Sequence, residues 1–410
     1  MGVKRPHILV VGAGLSGLSA CLEIERLNGR ATLLEATSHV GGRVKTDSFK
    51  GFLLDRGFQV LLTSYPEIQR LDILDSLDLV PFSSGAIAHK QLCRFDVINP
   101  LRHFFSYISS KSSFSPRRLF DFFILAQLAL TSKPSNLSTL KLIESKPFSD
   151  HFKECFLKPF FQGISLDMDL KVRSSVCLEY LKLFLRGLAT LPKNGMQALP
   201  YALYHKLKKT DVHFNKKVVG FKDKQVELAN KEIIKGDAVI FALDNPSASQ
   251  FIKTSSNYKS QLVTCFYFAV KKKLIKRCSF LHLGTEGPIL NLCIPNHIQP
   301  SYAPSGFDLI SATVVDPHWQ KRKDLQARVR DNIGQWLNLD PFNLNFLKAY
   351  KIKHALPSQS SPPILTNQYK LKGFNKVFLS GELVETPSIN GALLSGRVAA
   401  EWAMESLGKS

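Results

Sequence analysis

The N-terminal segment combines two apolar runs with a helical pattern, which predicts a βαβ unit. Residues 7–11 contain the continuous apolar run 8–11, which is typical of a buried parallel strand. Residues 17–27 carry small and apolar side chains at helical spacing, and residues 31–35 form a second strand-like run. We therefore expect a strand, a helix and a second parallel strand in this order.

Beyond residue 66 the pattern changes twice. Residues 66–200 are predicted to be mainly helical, with phenylalanine-rich segments separated by Ser, Pro and Lys patches. Strand-like patterns then return, and the predicted strands are 212–221, 225–228, 238–241, 262–270, 289–293 and 309–315. An amphipathic helix is predicted at 324–336, and the C-terminal segment is predicted to form a strand at 377–380 and a helix at 389–406.

The composition is that of a basic globular protein large enough for more than one domain. The 410 residues are 44% hydrophobic, and 54 Lys and Arg against 33 Asp and Glu give a net charge of +21. This charge favours anionic partners of any class. The basic residues are dispersed over different predicted elements and no nucleic-acid-binding module is recognisable, so we expect no nucleic-acid partner.

The spacing of the cysteines and the lengths of the apolar runs indicate the cellular compartment of the protein. The seven cysteines form no CxxC pair and no metal-ligand spacing, which predicts reduced thiols, no metal site and a cytoplasmic location. The apolar run at 8–11 is too short for a signal peptide. The longest apolar stretch, 119–130, is interrupted by Asp121 and Gln127 and falls short of the about 20 residues that span a bilayer, so no transmembrane helix is expected.

A glycine fingerprint lies where the first predicted strand meets the first helix. Gly12, Gly14 and Gly17 have the spacing G-x-G-x-x-G, and Glu35 closes the next strand. This pattern predicts a dinucleotide site: the turn and the helix N-terminus hold the pyrophosphate, while the acid binds ribose hydroxyls and disfavours NADP. NAD and FAD both remain open at this point. Further predicted contacts in the same unit are Ala13, Leu15, Ser16 and Ala36.

The segment after Glu35 resembles that of the flavin-containing amine oxidase superfamily, which includes phytoene desaturases and protoporphyrinogen oxidases. The resemblance rests on Gly41-Gly42-Arg43 and on residues 51–59 with Asp55 and Gly57. It implies that Gly41, Gly42 and Arg43 contact a pyrophosphate, since a guanidinium binds phosphate in a bidentate manner. It also implies that the D-x-G segment with Asp55 and Gly57, together with Phe58 and Gln59, approaches a flavin.

Three later segments extend the resemblance, two of them with departures. Residues 191–196 match a P-x-G-G-M element in which Asn194 replaces the first glycine, and Val218 falls where the family's backbone contacts adenine. Gly381 precedes Glu382, where aspartate is commoner, and a helix with Ser388, Ile389 and Gly391 follows. The resemblance implies that this helix N-terminus faces the pyrimidine edge of the flavin, where its positive end stabilises the reduced form.

These motifs imply an α/β fold in which a three-layer, Rossmann-like FAD-binding domain is interleaved with a substrate domain of mixed sheet and helices. We expect the FAD-binding domain to comprise residues 1–75, 200–258 and 350–410, and the substrate domain residues 76–199 and 259–349. Because no cysteine lies near Gly381, the FAD is expected to be bound non-covalently.

The implied reaction is hydride transfer from a C–H or C–N bond of an organic substrate to flavin N5. The residues show no hydrolase or metalloprotease motif, so no catalytic residue is assigned. Tyr267, Tyr302 and Tyr350 are candidates for an aromatic frame around an amine, although core packing is the favoured explanation for each. The phenylalanine-rich middle favours a large apolar substrate, as in desaturases and protoporphyrinogen oxidases, over an amine.

Other functions remain open from the sequence. Phenylalanines interleaved with basic residues at 101–130 predict either peripheral contact with an anionic membrane or helices around an internal cavity with a basic rim. The departures at Asn194 and Glu382 leave a non-catalytic FAD-binding adaptor as an alternative. A nicotinamide-only dehydrogenase is a further class, but it would not need the C-terminal glycine-acid element.

Overall fold

A computed structural model describes residues 5–90, 93–98, 116–131, 137–252, 259–284, 286–361 and 368–408. Its strands are β1 His7–Val11, β2 Arg30–Leu34, β3 Thr46–Phe49, β4 Phe52–Asp55, β5 Leu61–Leu62, β6 Val80–Pro81, β7 Gly85–Lys90, β8 Cys93–Ile98, β9 Ala189–Leu191, β10 Asp211–His213, β11 Val218–Lys222, β12 Gln225–Leu228, β13 Ile233–Lys235, β14 Ala238–Phe241, β15 Ser260–Lys271, β16 Leu281–Gly284, β17 Asn291–Cys293, β18 Phe307–Val314, β19 Asn345–Pro357 and β20 Val377–Leu379.

The helices of the described residues are α1 Leu15–Arg26, α2 Pro66–Leu71, α3 Pro116–Thr131, α4 Thr139–Glu144, α5 Asp150–Phe152, α6 Lys158–Ser165, α7 Ser174–Arg186, α8 Ala198–Lys206, α9 Asn245–Ala248, α10 Pro295–Ile298, α11 Pro317–Gln320, α12 Leu325–Leu337 and α13 Ile389–Gly408. A π-helical turn, Lys153–Leu157, joins α5 to α6, and short 3-10 turns lie at Asp75–Leu77, Pro300–Tyr302 and Pro341–Asn343. In this part of the chain, no helix combines the length and apolar character needed to cross a membrane.

A five-stranded parallel sheet in the order β10-β2-β1-β14-β20 forms the centre of the first layered unit. The continuous apolar runs of β1 and β14 are buried, as expected for strands covered on both faces. Helices α1 and α13 pack on one face, and the Ser19 hydroxyl donates a hydrogen bond of 2.7 Å to Leu393 O between them. The sheet β11-β12-β13 covers the other face through the ring contact of Phe221 with Phe241. The predicted α/β, Rossmann-like fold is confirmed.

The second unit is a seven-stranded mixed sheet in the order β19-β15-β18-β17-β16-β7-β8, together with a helical cluster. All neighbouring strands are antiparallel except β16 and β7. Helix α12 packs its apolar side on one face of this sheet. Helices α3 to α7 bury several of their phenylalanines together in a separate core, and two of these, Phe122 and Phe152, meet edge to face.

The structure departs from the predicted elements in several places. The stretch 66–200 was expected to be mainly helical, but it contains the β7–β8 hairpin, whose short strands lack a long alternating pattern. The predicted strand 212–221 divides into β10 and β11, because Asn215 takes a left-handed conformation with φ of 56°. Strand β19 was not predicted and pairs with β15 in the seven-stranded sheet, although its residues 350–357 lie in a stretch assigned to the FAD-binding domain. The domain boundaries remain a prediction.

Candidate functional site

A cavity of about 1130 Å³ lies between the carboxyl ends of the parallel strands, the seven-stranded sheet and the helical cluster. Ligands of α/β proteins bind outside the carboxyl ends of such strands. The predicted cofactor residues that line this cavity are Gly12, Gly14, Leu15, Ser16, Glu35, Ala36, Gly41, Gly42, Arg43, Gly57, Phe58, Gln59, Val218, Gly381, Glu382, Ser388 and Ile389. The fold therefore brings segments that are distant in sequence to one space.

Three predicted contact residues do not line the cavity but pack against the residues that do. They are Ala13, Gly17 and Gly391. The Ala13 backbone N–H donates to Glu35 Oε2 at 2.8 Å. A Cβ added to Gly17 would overlap Gly12 O, and one added to Gly391 would overlap Thr386 O. The two glycines thus permit close approach of backbone to backbone.

The turn between β1 and α1 presents backbone to the cavity. Gly12 has φ of +101°, which an L side chain rarely adopts, and its N–H donates to Leu34 O at 2.8 Å. Gly14 is the N-cap residue of α1, and a Cβ there would meet no heavy atom within 4 Å. No side chain caps this helix, so its first N–H groups and its positive dipole end can receive an anion.

Glu35 is fixed by the turns on both sides of it. Its Oε1 accepts hydrogen bonds of 2.8 Å from the Thr37 backbone N–H and hydroxyl, while Oε2 accepts the bond from Ala13. A carboxylate has about four acceptor positions, so Oε2 retains one. A hydroxyl in the cavity can therefore bind Glu35 without displacing a partner.

Arg43 and Glu382 form an ion pair at the wall of the cavity. Arg43 Nη1 lies 2.8 Å from Glu382 Oε2, and the Glu382 side chain is only 2% exposed whereas that of Arg43 is 41% exposed. The Asn245 backbone N–H donates to Glu382 Oε1 at 2.9 Å. Arg43 Nη1 also donates to Ala355 O at 3.2 Å. The guanidinium carries five N–H donors, so it can bind a further anion while it holds Glu382.

Asp55 does not line the cavity but joins the segments around it. Its Oδ1 accepts hydrogen bonds from Thr46 Oγ1 at 2.6 Å and the Met196 N–H at 3.0 Å, and Oδ2 accepts one from the Tyr302 hydroxyl at 2.9 Å. Burial raises the pKa of Asp55 to about 6, although these hydrogen bonds oppose the shift.

The departure at Asn194 does not disturb this junction. Gly195 has φ of +77°, and a Cβ there would collide with the Thr46 side chain, so the second position of the motif requires glycine. Asn194 has no positive φ. The first position therefore accepts a side chain without backbone strain.

The three candidate tyrosines lie in different environments. Tyr267 and Tyr302 are buried and donate to Asp55, one to its backbone oxygen at 2.8 Å and the other to its carboxylate. Tyr350 alone of the three lines the cavity, and its hydroxyl donates to Asp47 Oδ2 at 2.7 Å. Burial acts to raise the pKa of Asp47, but hydrogen bonds from Tyr350, Arg56 and Lys348 lower it to about 2.

The end of the cavity away from the glycines, which we call the apolar compartment, is formed by the helical cluster and the seven-stranded sheet. Its wall on the helix side consists of the apolar side chains of Phe122, Leu125, Phe156, Phe160 and Phe184. The sheet side carries Asn291 and Thr313, a polar pair that sequence analysis missed. The only available signal was two polar residues inside apolar strand patterns.

The model of the family described as flavin containing amine oxidoreductase matches residues 15–403. An oxidoreductase from Methanosarcina mazei has a similar structure, with a TM-score of 0.78 and 16% identity over 96% of this chain and 100% of the other.

Two curated relatives match over short segments. Lysine-specific histone demethylase 1B of Mus musculus is 46% identical over 55 residues, which are 13% of this chain and 7% of the relative. Protoporphyrinogen oxidase 2 of Arabidopsis thaliana is 32% identical over 89 residues, which are 22% of this chain and 17% of the relative. The matched segments thus span less than a fifth of either relative. Since the family model covers most of the sequence, this chain belongs to the flavin-containing amine oxidoreductase family and is a flavin-dependent oxidoreductase.

Proposed function

We propose that the protein binds FAD non-covalently and removes a hydride from a C–H or C–N bond of a large apolar substrate, as desaturases and protoporphyrinogen oxidases do. The observation that carries this proposal is one continuous cavity that joins the glycine turn to the apolar compartment. Its volume of about 1130 Å³ exceeds the roughly 300–1,000 Å³ of pockets that hold one drug-sized ligand. The space suits a dinucleotide together with a second molecule.

The residues at the glycine-rich end fit FAD. The open space beside Gly14 admits a pyrophosphate next to the N-terminus of α1, and Glu35 Oε2 can accept from a ribose hydroxyl. Gln59 Oε1 is buried at the cavity wall and has no hydrogen-bond partner among the described residues, so it is available to a polar edge of the cofactor. No cysteine occurs among the described lining residues, which supports non-covalent binding.

Bound flavin supplies the hydride acceptor, and the chain supplies binding, orientation and electrostatics. Ser388 and Ile389 bring the N-terminus of α13 to the cavity, and the Ser388 hydroxyl accepts the Gly391 N–H at 2.8 Å. The positive end of this 20-residue helix stabilises negative charge beside it. The phenylalanines of the apolar compartment exclude water from the reacting atoms.

An amine oxidase is the second candidate, because Tyr350 and Lys351 both line the cavity. Against it, the acidic residues among the described lining residues are Glu35, Asp244 and Glu382, all outside the apolar compartment. A substrate ammonium there would lack a carboxylate partner. A large uncharged substrate fits this compartment better than a charged amine.

We also propose peripheral contact with an anionic membrane through α3. This helix lines the apolar compartment on one side and exposes Phe123 (64%) and Leu130 (70%) on the other, with Arg117 and Arg118 in its first turn. Apolar side chains bordered by basic ones suit the surface of an anionic bilayer. The preceding residues 101–115 of the predicted membrane segment lie outside the described residues. Salt-sensitive sedimentation with phosphatidylserine vesicles, weakened in Phe123→Glu, would support this contact, whereas equal binding by both proteins would refute it.

The visible spectrum of the purified protein tests the central proposal. We expect a yellow protein that releases free FAD on denaturation. Anaerobic mixing with polyenes, porphyrinogens and amines should then bleach the flavin with one of the apolar classes. Reduction by amines alone would establish the amine oxidase, and a flavin that none of them reduces would favour the non-catalytic adaptor. A colourless protein that takes up no FAD would refute the proposal.

A further inference from the structure

Asn291 and Thr313 lie side by side on the sheet side of the apolar compartment. They are paired across β17 and β18, in a row that continues through Cys265 on β15 to Tyr350 on β19. Directly opposed residues of antiparallel strands place their Cβ atoms about 4.5–5.5 Å apart on the same face. The Asn291 amide and the Thr313 hydroxyl can therefore reach one small group in the cavity.

Both side chains are buried, and neither has a full set of hydrogen-bond partners within the described ranges. Thr313 is 2% exposed, and its Oγ1 makes no hydrogen bond of ordinary geometry, although its hydroxyl lies opposite the Cys265 thiol and interacts with it weakly. Asn291 is 4% exposed, and its amide makes no hydrogen bond to the described protein. A buried polar group left unpaired costs about 1–3 kcal/mol, and such groups in native proteins call for an explanation. Two of them facing one cavity indicate that the occupant supplies the missing bonds.

The surroundings restrict the chemistry of that occupant. The row contains amide, hydroxyl, thiol and phenol groups but no charge, and the opposite wall is apolar. An ionised group would lose its hydration here without gaining a counter-charge. The amide and hydroxyl both offer N–H or O–H donors, which a neutral oxygen can accept.

We infer that Asn291 and Thr313 bind an uncharged carbonyl or hydroxyl oxygen of an otherwise apolar substrate and thereby determine its position. This inference rests on the proposed function, since it names the substrate class for the same cavity. Asn291 and Thr313 are specificity-determining residues, and no proton or hydride passes through them.

Four compounds of nearly the same shape provide the test: acetophenone, 1-phenylethanol, ethylbenzene and 1-phenylethylamine as its ammonium ion. Their affinities for the flavin-loaded protein are measured by isothermal titration calorimetry. We expect the two oxygen compounds to bind more tightly than the other two. The difference between acetophenone and 1-phenylethanol then tells whether the natural oxygen is a carbonyl or a hydroxyl.

Two substitutions of matched shape, Asn291→Leu and Thr313→Val, should each reduce the preference for acetophenone over ethylbenzene roughly tenfold, the equivalent of one lost hydrogen bond. Thr264→Val is the control, because this neighbouring hydroxyl donates to Gln320 Oε1 at 3.0 Å and does not line the cavity. It should lower the melting temperature and leave the preference unchanged, whereas Thr313→Val should not lower the melting temperature.

The inference is overturned if the substitutions leave the preference unchanged, if the ammonium ion binds most tightly, or if no compound binds. A flavin-loaded protein that gives any of these results still satisfies the FAD-binding part of the proposed function. A protein without flavin fails the proposed function instead, and the absorbance of the sample distinguishes the two failures.

Discussion

The carboxylate of Glu382 at the end of β20 lies 2.8 Å from the guanidinium of Arg43, which follows the glycine pair after β2. The pair connects the N-terminal and C-terminal parts of the cofactor site through one charged contact. Glu382 is buried and Arg43 is half-exposed. Loss of the ion pair therefore destabilises the charge of Glu382 more than that of Arg43. Loss of the arginine leaves the buried carboxylate of Glu382 without this counter-charge, although the Asn245 N–H still donates to it.

Arg43→Ala should therefore destabilise the flavin-free protein by about 1–2 kcal/mol and weaken FAD binding at least tenfold. Urea unfolding and flavin fluorescence titration measure the two effects. Arg30→Ala is the matched control, because its ion pair with Asp211 is exposed on both sides and should contribute at most about 0.5 kcal/mol. Equal stability of the two variants would contradict the assigned role of the Arg43–Glu382 pair.

Gly14→Ala should weaken FAD binding and leave stability nearly unchanged, whereas Gly17→Ala should destabilise the folded protein. A methyl group on Gly14 enters open cavity space, so the variant should fold with nearly unchanged stability and lose FAD affinity. A methyl group on Gly17 overlaps Gly12 O and should cost at least about 1–3 kcal/mol. Thermal unfolding without flavin separates the variants. If Gly14→Ala binds FAD normally, the anion site does not lie at this turn.

Asp55→Asn should remove a dependence of stability on pH. The pKa of Asp55 is raised from 3.8 to about 6 in the folded protein, so the native state binds this proton more tightly than the unfolded state. Its contribution to stability is complete below pH 3.8 and is lost as the pH rises to about 6. The free energy of unfolding of the wild type, relative to Asp55→Asn, should fall by roughly 3 kcal/mol across this window.

Urea unfolding at several pH values between 4 and 7 measures this difference. The amide oxygen can keep the hydrogen bonds from Thr46 and Met196, and the Tyr302 hydroxyl can accept from the amide nitrogen instead of donating. The variant should therefore fold. Parallel pH profiles for the two proteins would disprove the raised pKa.

Ala126→Phe should fill part of the apolar compartment without affecting the cofactor. Ala126 lines the cavity from α3, far along the chain from the glycine turn. Flavin content should stay normal, while reduction by an apolar substrate should show a KM at least about tenfold higher. The control is Gln127→Phe on the exposed side of the same helix, which should behave as the wild type. A lowered flavin content in Ala126→Phe would place the cofactor in this compartment.

The sequence allowed the parallel-sheet unit to be predicted, because its requirements are local. Gly12 needs a positive φ and Gly17 needs close packing, and both requirements exclude other residues at fixed spacing. The continuous apolar runs of β1 and β14 likewise predict buried strands from local sequence alone.

Features that depend on non-local pairing could not be predicted. The β7–β8 hairpin lies among phenylalanine-rich segments, and its strand β7 joins the large sheet through β16. The position of Asn291 beside Thr313 depends on the register of two strands, which a single sequence does not reveal. The ion pair of Arg43 with Glu382 likewise required the two ends of the fold to be in place.

The contact between α1 and α13 has a consequence for biosynthesis. Gly396 lies so close to Ser16 that a methyl group would overlap the Ser16 carbonyl oxygen, and β20 provides the outer strand beside β14. A nascent polypeptide that has not yet emerged past residue 396 lacks the partner of its earliest helix. The ribosome must therefore have translated residue 396 before the nucleotide pocket can close around α1, and flavin capture follows the synthesis of α13.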